Sequence, residues 1–220
     1  MKLFNYGLTI VYVLFASSAL AEGFPSAKAT VRVGDIKIVN ARAQGWQTVM
    51  QSVIKSSSQK ELLMNVAMEC GLFTKTAVKS KVGTSDTSTA NAAVRARVLV
   101  DGIVAQPGEV TFCRRTQELT AVFGGILQSC QDLNLDGIIS SDECTFTDEE
   151  LNLVLDTMNA NSFAYVLENV GSGVHHVEVQ IMIDAGGSAQ AGSFDGYATV
   201  GKGSLSVEEI RLIKDDVINF

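Results

Sequence analysis

Histidine is almost missing from this 220-residue chain: there are two, His175 and His176, side by side. Neighbouring residues of a strand point to opposite faces, so this pair cannot chelate one ion from a regular strand. His176, Glu178 and Gln180 do share a face, and the plain reading is a solvated strand surface. No C-x-x-C pair exists and both histidines are remote from the four cysteines, which argues against a zinc site. There is no G-x-S-x-G and no H-E-x-x-H, and no thiol is left as a nucleophile if all four cysteines pair. Residues 196–203 nearly spell a nucleotide-binding loop, but Gly203 stands after Lys202 where a magnesium-binding hydroxyl is required. The sequence thus offers no residues to carry an enzymatic reading.

Positive charge and long apolar runs are also scarce. Seventeen Lys and Arg face 24 Asp and Glu, a net charge of −7, which argues against nucleic acid or an anionic membrane surface as partner. The apolar run at residues 8–16 is too short to span a bilayer. With Lys2 before it and Ala19-Leu20-Ala21 after it, it reads as a signal peptide, residues 1–21, cleaved before Glu22. Loss of Lys2 leaves 16 basic against 24 acidic side chains, a net charge of −8. No later segment is long and apolar enough to form a transmembrane helix. A final Phe220 invites comparison with outer-membrane barrels, but Lys214 and Asp216 stand where lipid-facing residues belong. The expectation is a secreted chain, extracellular or periplasmic.

Four cysteines in an exported chain allow three pairings. Cys130 and Cys144 lie close in sequence, so the expected bonds are Cys130–Cys144 and, by elimination, Cys70–Cys113. A closed loop of that size is stabilised by about 3 kcal/mol in the chain-entropy view.

What is present is mostly alternation. Residues 30–40 carry Val31, Val33, Ile36 and Ile38, with a phase slip at Gly34-Asp35 that reads as a bulge. Residues 47–55 are rich in β-formers. Leu62, Met64, Val66, Met68 and Cys70 share one face. Val94, Ala96, Val98 and Val100 point inward while Arg95 and Arg97 point out. Residues 109–114 and 118–127 read as two strands, residues 83–91 and 186–192 as loops, and Gly171-Ser172-Gly173 as a hairpin turn. Val177, Val179, Ile181 and Ile183 mark another strand. Residues 205–214 fit a bulged strand or a capped helix, and the strand is preferred because it closes a sheet. About ten short strands without βαβ alternation indicate an all-β fold, a jelly-roll-like antiparallel β-sandwich formed by residues 22–220 as one domain.

One stretch departs from alternation. Residues 132–143 match a twelve-residue calcium loop: Asp132, Asn134 and Asp136 at positions one, three and five, and Gly137 at the sharp turn. Ile138 offers its carbonyl at seven, Ser140 stands at nine, and Glu143 supplies a bidentate carboxylate at twelve. Thr147-Asp148-Glu149-Glu150 then spells a capping box, with Leu151, Val154, Leu155 and Met158 at helical spacing. The stretch resembles a calcium loop of the EF-hand or dockerin type, inserted with a short helix at residues 130–159 of another fold. The resemblance implies Ca2+ as cofactor and a structural or binding role.

By analogy with other calcium-bearing secreted sandwiches, a carbohydrate-binding or carbohydrate-processing module is the alternative. Its platform would be sought at Trp46, Tyr165 or Tyr197, with Trp46 read first as a plug at the rim of the core. An extracellular protein or a glycan is the expected partner.

Overall fold

A computed structural model describes residues 29–35, 45–80 and 84–212. The expected signal peptide and residues 36–40 of the first predicted strand lie outside them.

Among the described residues eleven strands follow one another: β1 (Ala29–Asp35), β2 (Gln47–Ser56), β3 (Lys60–Ser80), β4 (Ser85–Val100), β5 (Ile103–Val104), β6 (Val110–Val122), β7 (Ile126–Cys130), β8 (Cys144–Thr147), β9 (Glu149–Val170), β10 (Gly173–Ala189) and β11 (Ser193–Ile210). One sheet runs β1-β11-β3-β9, and the second runs β2-β10-β4-β5 with β6 also on β4. Strands β7 and β8 form a separate two-stranded sheet. Every pairing between named strands is antiparallel. The chain changes sheet between β1 and β2, β2 and β3, β3 and β4, β9 and β10, and β10 and β11, which gives the sandwich its jelly-roll-like character.

The core lies where the alternation placed it. Leu62 to Leu72 on β3, Ala198, Val200, Leu205 and Val207 on β11, Val94 to Val100 on β4 and Val177 to Ile183 on β10 bury their inward side chains in one cluster. Tyr165 of β9 is fully buried in it, and its hydroxyl donates to the Ala96 carbonyl at 3.3 Å. Removal from water pushes the phenol's pKa up. Cys70–Cys113 forms and joins β3 to β6 across the core, with Cα atoms 6.5 Å apart. Asp101-Gly102 turns β4 into β5, both residues at positive φ, 51° and 84°.

The expected helix after residue 147 is a strand. Thr147 pairs with Ile126, the Glu149 carboxylate accepts the Gly125 N–H at 2.9 Å, and Glu150 pairs with Lys79 at 2.9 Å. Two acids of the apparent capping box are thus bonded elsewhere, Glu149 to the β6–β7 connection and Glu150 to β3. Leu151, Leu153 and Leu155 alternate as well as Leu151, Val154, Leu155 and Met158 fit a helical face, and β3 offers a partner along nearly its full length. Pairing along that length outweighs weak local propensity. Of the insertion expected at residues 130–159, residues 149 onward therefore belong to the main sheet, and the projecting unit is the β7–β8 hairpin.

Four further expectations change. Residues 85–91 belong to β4, and β10 continues to Ala189. The two strands read at 109–114 and 118–127 are one, β6, followed by the separate β7. Gly171-Ser172 crosses from one sheet to the other instead of closing a hairpin. The β1–β11 register runs without a shift up to Asp35, and the phase slip expected there reaches into residues outside the described ones.

Candidate calcium hairpin

The hairpin is built from the bottom up by pairing and by one covalent bond. Cys130 and Cys144 face each other in the β7–β8 register and are joined by the expected disulfide. Ser129 and Thr145 hydroxyls meet at 2.9 Å beside them. Beyond this base, residues 131–143 project from the sandwich.

The loop turns through short polar side chains. Asp132 Oδ2 accepts the Gly137 N–H at 2.8 Å, Asn134 Oδ1 the Asp136 N–H at 3.0 Å, and Asp136 Oδ1 the Ile138 N–H at 2.8 Å. Asx residues favour such turns because their side chains reach backbone donors a few residues on. Gly137 has φ 84°, where a Cβ would be strained, and Leu135 reaches 59°. All the residues expected at the ligand positions are thus gathered in one loop.

Glu143 closes it. Its Oε1 accepts the N–H groups of Leu133 at 2.9 Å and Asn134 at 3.2 Å, and its Oε2 accepts the Ser140 N–H at 3.0 Å and hydroxyl at 3.2 Å. The carboxylate's pKa lies below its ordinary value, first because of the Ser140 N–H, with burial opposing. Four donors saturate what a carboxylate can accept. Among the described residues, no group of three or more His, Cys, Asp or Glu side chains is placed to hold a metal.

One atom departs from this closure. Asp132 Oδ1 is buried and has no hydrogen-bond partner. A buried carboxylate oxygen without a donor is costly, and the groups at the expected ligand positions all offer oxygen, which suits a hard cation. The residues fit calcium in kind. Glu143 would have to exchange backbone N–H groups for the ion.

The hairpin also carries a feature that the spacing of acids did not reveal. Leu133, Leu135, Ile138 and Ile139 are all exposed, Leu135 by 86%. Four aliphatic side chains stand in water at the tip, held there by the Asx turns and the φ > 0 residues.

Away from the hairpin, His175 is buried instead of solvated. Its Nδ1 lies 2.7 Å from Asp101 Oδ2 and its Nε2 3.0 Å from the Gly171 carbonyl oxygen. Burial alone would raise the pKa of Asp101, but bonds from His175 and the His176 N–H hold it below its usual value. The pair clasps the β4–β5 turn to the β9–β10 crossing. Of the aromatics considered as sugar platforms, Tyr165 is in the core. Trp46 has the Arg97 guanidinium 4.2 Å above its ring, and Tyr197 stacks on Phe73 with centroids 4.5 Å apart.

No family model and no curated protein matches the chain. Among solved structures it is similar to "Structure of infectious bursal disease virus Gx strain", with 13% identity, 86% of this chain and 34% of that chain covered, and a TM-score of 0.31. The chain spans about a third of the length of that viral chain.

Proposed function

We propose that the chain is an exported, non-catalytic binding module in which one calcium ion rigidifies the projecting hairpin and so presents its apolar tip to a protein partner. The observation that carries this reading is the buried, unpartnered Asp132 Oδ1 inside a loop whose other positions follow the calcium spacing. Asp132, Asn134, Asp136, Ser140 and Glu143 would supply side-chain oxygens and Ile138 its carbonyl. Exposed Leu133, Leu135, Ile138 and Ile139 favour a protein surface over a glycan, since sugars are met by aromatic faces and polar groups. Two disulfides and the absence, among the described residues, of any helix long and apolar enough to cross a membrane are compatible with export.

Melting curves with chelator and with millimolar calcium test it. A ligand at ten times its Kd adds about 1.4 kcal/mol, or roughly 3 °C for a domain of this size. Magnesium should do less because it demands a small octahedral shell. Glu143→Gln should remove most of the shift, and Asp142→Asn, outside the ligand positions, should keep it. Coincident wild-type curves, or equal loss in both variants, refute the calcium reading.

A further inference from the structure

Among the described residues β9 is the longest strand, and it stands at the edge of its sheet, paired with β3 on one side. Over its 22 residues it has no Lys, Arg, Pro or Gly. Lysine and proline are foremost among the devices by which proteins keep open edges from pairing, and the charges that β9 does carry are the acids Glu149, Glu150, Asp156 and Glu168. Its other edge is closed at one point. Gln106 and Val166 exchange backbone hydrogen bonds at 2.8 and 2.9 Å, an isolated antiparallel bridge. The bridge shows which backbone groups face outward. Those of Val166 do, and outward and inward groups alternate along a strand. The β3–β9 register is unbroken from Leu167 back to Glu149. The even-numbered residues from 164 back to 150 therefore turn their N–H and C=O groups to the open edge. Among the described residues no strand pairs with them.

The open edge is apolar on both faces. Leu151, Leu153, Leu155 and Phe163 lie on the core side of β9 yet are 38–47% exposed, because the facing edge strand β6 covers them only in part, through Arg115 and Gln117. Val154 and Met158, on the outer side, are 50% and 59% exposed. Together they expose on the order of 500 Å², at the upper end of what a monomer shows.

We propose that this edge binds a second copy of the chain, β9 against β9 about a two-fold axis through Thr157, joining two four-stranded sheets into one of eight. The free stretch selects that axis. It runs from 150, where the strand begins, to 164, just before the Gln106 plug, and 157 is its midpoint. In that register Leu151 faces Phe163 of the partner, Val154 faces Ala160, Asn152 faces Ser162, and Thr157 faces itself. Cross-strand Thr–Thr and apolar pairs are favourable, and no like charges are opposed. Shifting the axis to Asp156 sets two carboxylates directly against each other. At the Thr157 axis Asp156 lies on the outer face, and Arg115, which donates to the Thr157 hydroxyl and to the Leu72 and Leu155 carbonyls, lies on the inner one. The two-fold brings each of them near its own copy, diagonally and not directly opposed, a repulsion that the apolar pairs must outweigh. Fifteen paired residues extend roughly 50 Å. With the flanking leucines, that length approaches the about 800 Å² per partner of a stable interface. A two-fold perpendicular to the sheet keeps core side on core side, so both leucine rows meet.

Light scattering on the purified full chain reads the mass, and the expected result is twice the monomer. Met158→Asp places a carboxylate opposite Asp156 of the partner at two symmetric positions, and weakens the dimer roughly tenfold or more. Adding Asp156→Lys to that variant restores dimerisation by pairing opposite charges, which a misfolded protein would not do. Thr157→Cys, at a non-hydrogen-bonded pair with Cα atoms about 4.5 Å apart, cross-links across the axis under mild oxidation. Asn159→Cys, opposite Leu155, does not. A wild-type monomer at every concentration, including one that associates solely with another protein, overturns the proposal. So does a dimer insensitive to Met158→Asp, or one cross-linked through residue 159 and not 157.

Discussion

Gln117 is a polar side chain built into the contact between the sheets, and replacing it with leucine tests how the sandwich is held at that end. Gln117 on β6 is 5% exposed, and Thr74 and Thr76 on β3 are fully buried. Thr74 donates to Gln117 Oε1 at 2.6 Å, and Gln117 Nε2 donates to Thr76 Oγ1 at 2.7 Å and to the Leu153 carbonyl at 2.9 Å. Gln117→Leu conserves volume but strands two buried hydroxyls. At about 1–3 kcal/mol for each orphaned group, the loss is roughly 3 kcal/mol, or about 6–12 °C in Tm. Thr74→Val with Thr76→Val strands the amide instead and costs a similar amount. The triple variant removes both sides of the network, and apolar replacement of a whole buried network is close to neutral. Urea unfolding of the four proteins gives the coupling, expected to be at least about 2 kcal/mol in favour of the triple variant. Additive losses, or a Gln117→Leu protein as stable as the parent, refute the reasoning.

Asp86 is buried at the end of the sandwich and accepts the N–H groups of Lys79 at 2.7 Å and Ala191 at 3.1 Å, tying the β3–β4 and β10–β11 connections. Its pKa is lowered, chiefly by the Lys79 N–H. A depressed carboxylate stabilises the fold above its unfolded pKa, near about 3.9, and loses that contribution as pH falls through the folded value. Asp86→Asn should therefore be less stable than the parent at neutral pH, and the difference should shrink in acid; a gap constant with pH in denaturant titrations contradicts this. Gly192→Ala would drive its Cβ into the Ala77 carbonyl oxygen, whereas a Cβ at Gly34 meets nothing within 4 Å. The first should cost about 3 kcal/mol and the second little, and equal melting temperatures for the two variants would count against the close approach.

The core was legible because its strands bury one face and alternate strictly, as at Leu62 to Cys70 and Val94 to Val100. The edges were not. Inward positions of β6 carry Arg115 and Gln117, whose partners sit on other strands, so the apolar period breaks and one strand reads as two. Glycines at 186, 187 and 192 read as a loop, yet a Cβ at the strand residue Gly196 would lie 2.6 Å from the Asn91 carbonyl oxygen, a close approach that sequence alone does not report. Residues 149–158 satisfy both periods, and the partner strand that decides between them begins nearly ninety positions earlier, at Lys60. At the hairpin the spacing of acids and the flanking cysteines located the loop and its disulfide. The exposure of Leu133 to Ile139 depends on where the sandwich ends, which no local pattern encodes.

The order of the strands also sets how the chain must assemble. β1 pairs with β11 from Ala29 opposite Glu208 to Asp35 opposite Lys202. β2 pairs with β10, where the Gln180 amide reaches Thr48 across 132 residues of sequence. Neither sheet can close until its distant strand is available, and the entropy of closing such long loops must be met before the contacts reward it. Folding is therefore placed among the slow, millisecond-to-second sandwiches. The β7–β8 hairpin, closed over a short loop, needs none of this and can form and oxidise early, as a local unit waiting on a global one.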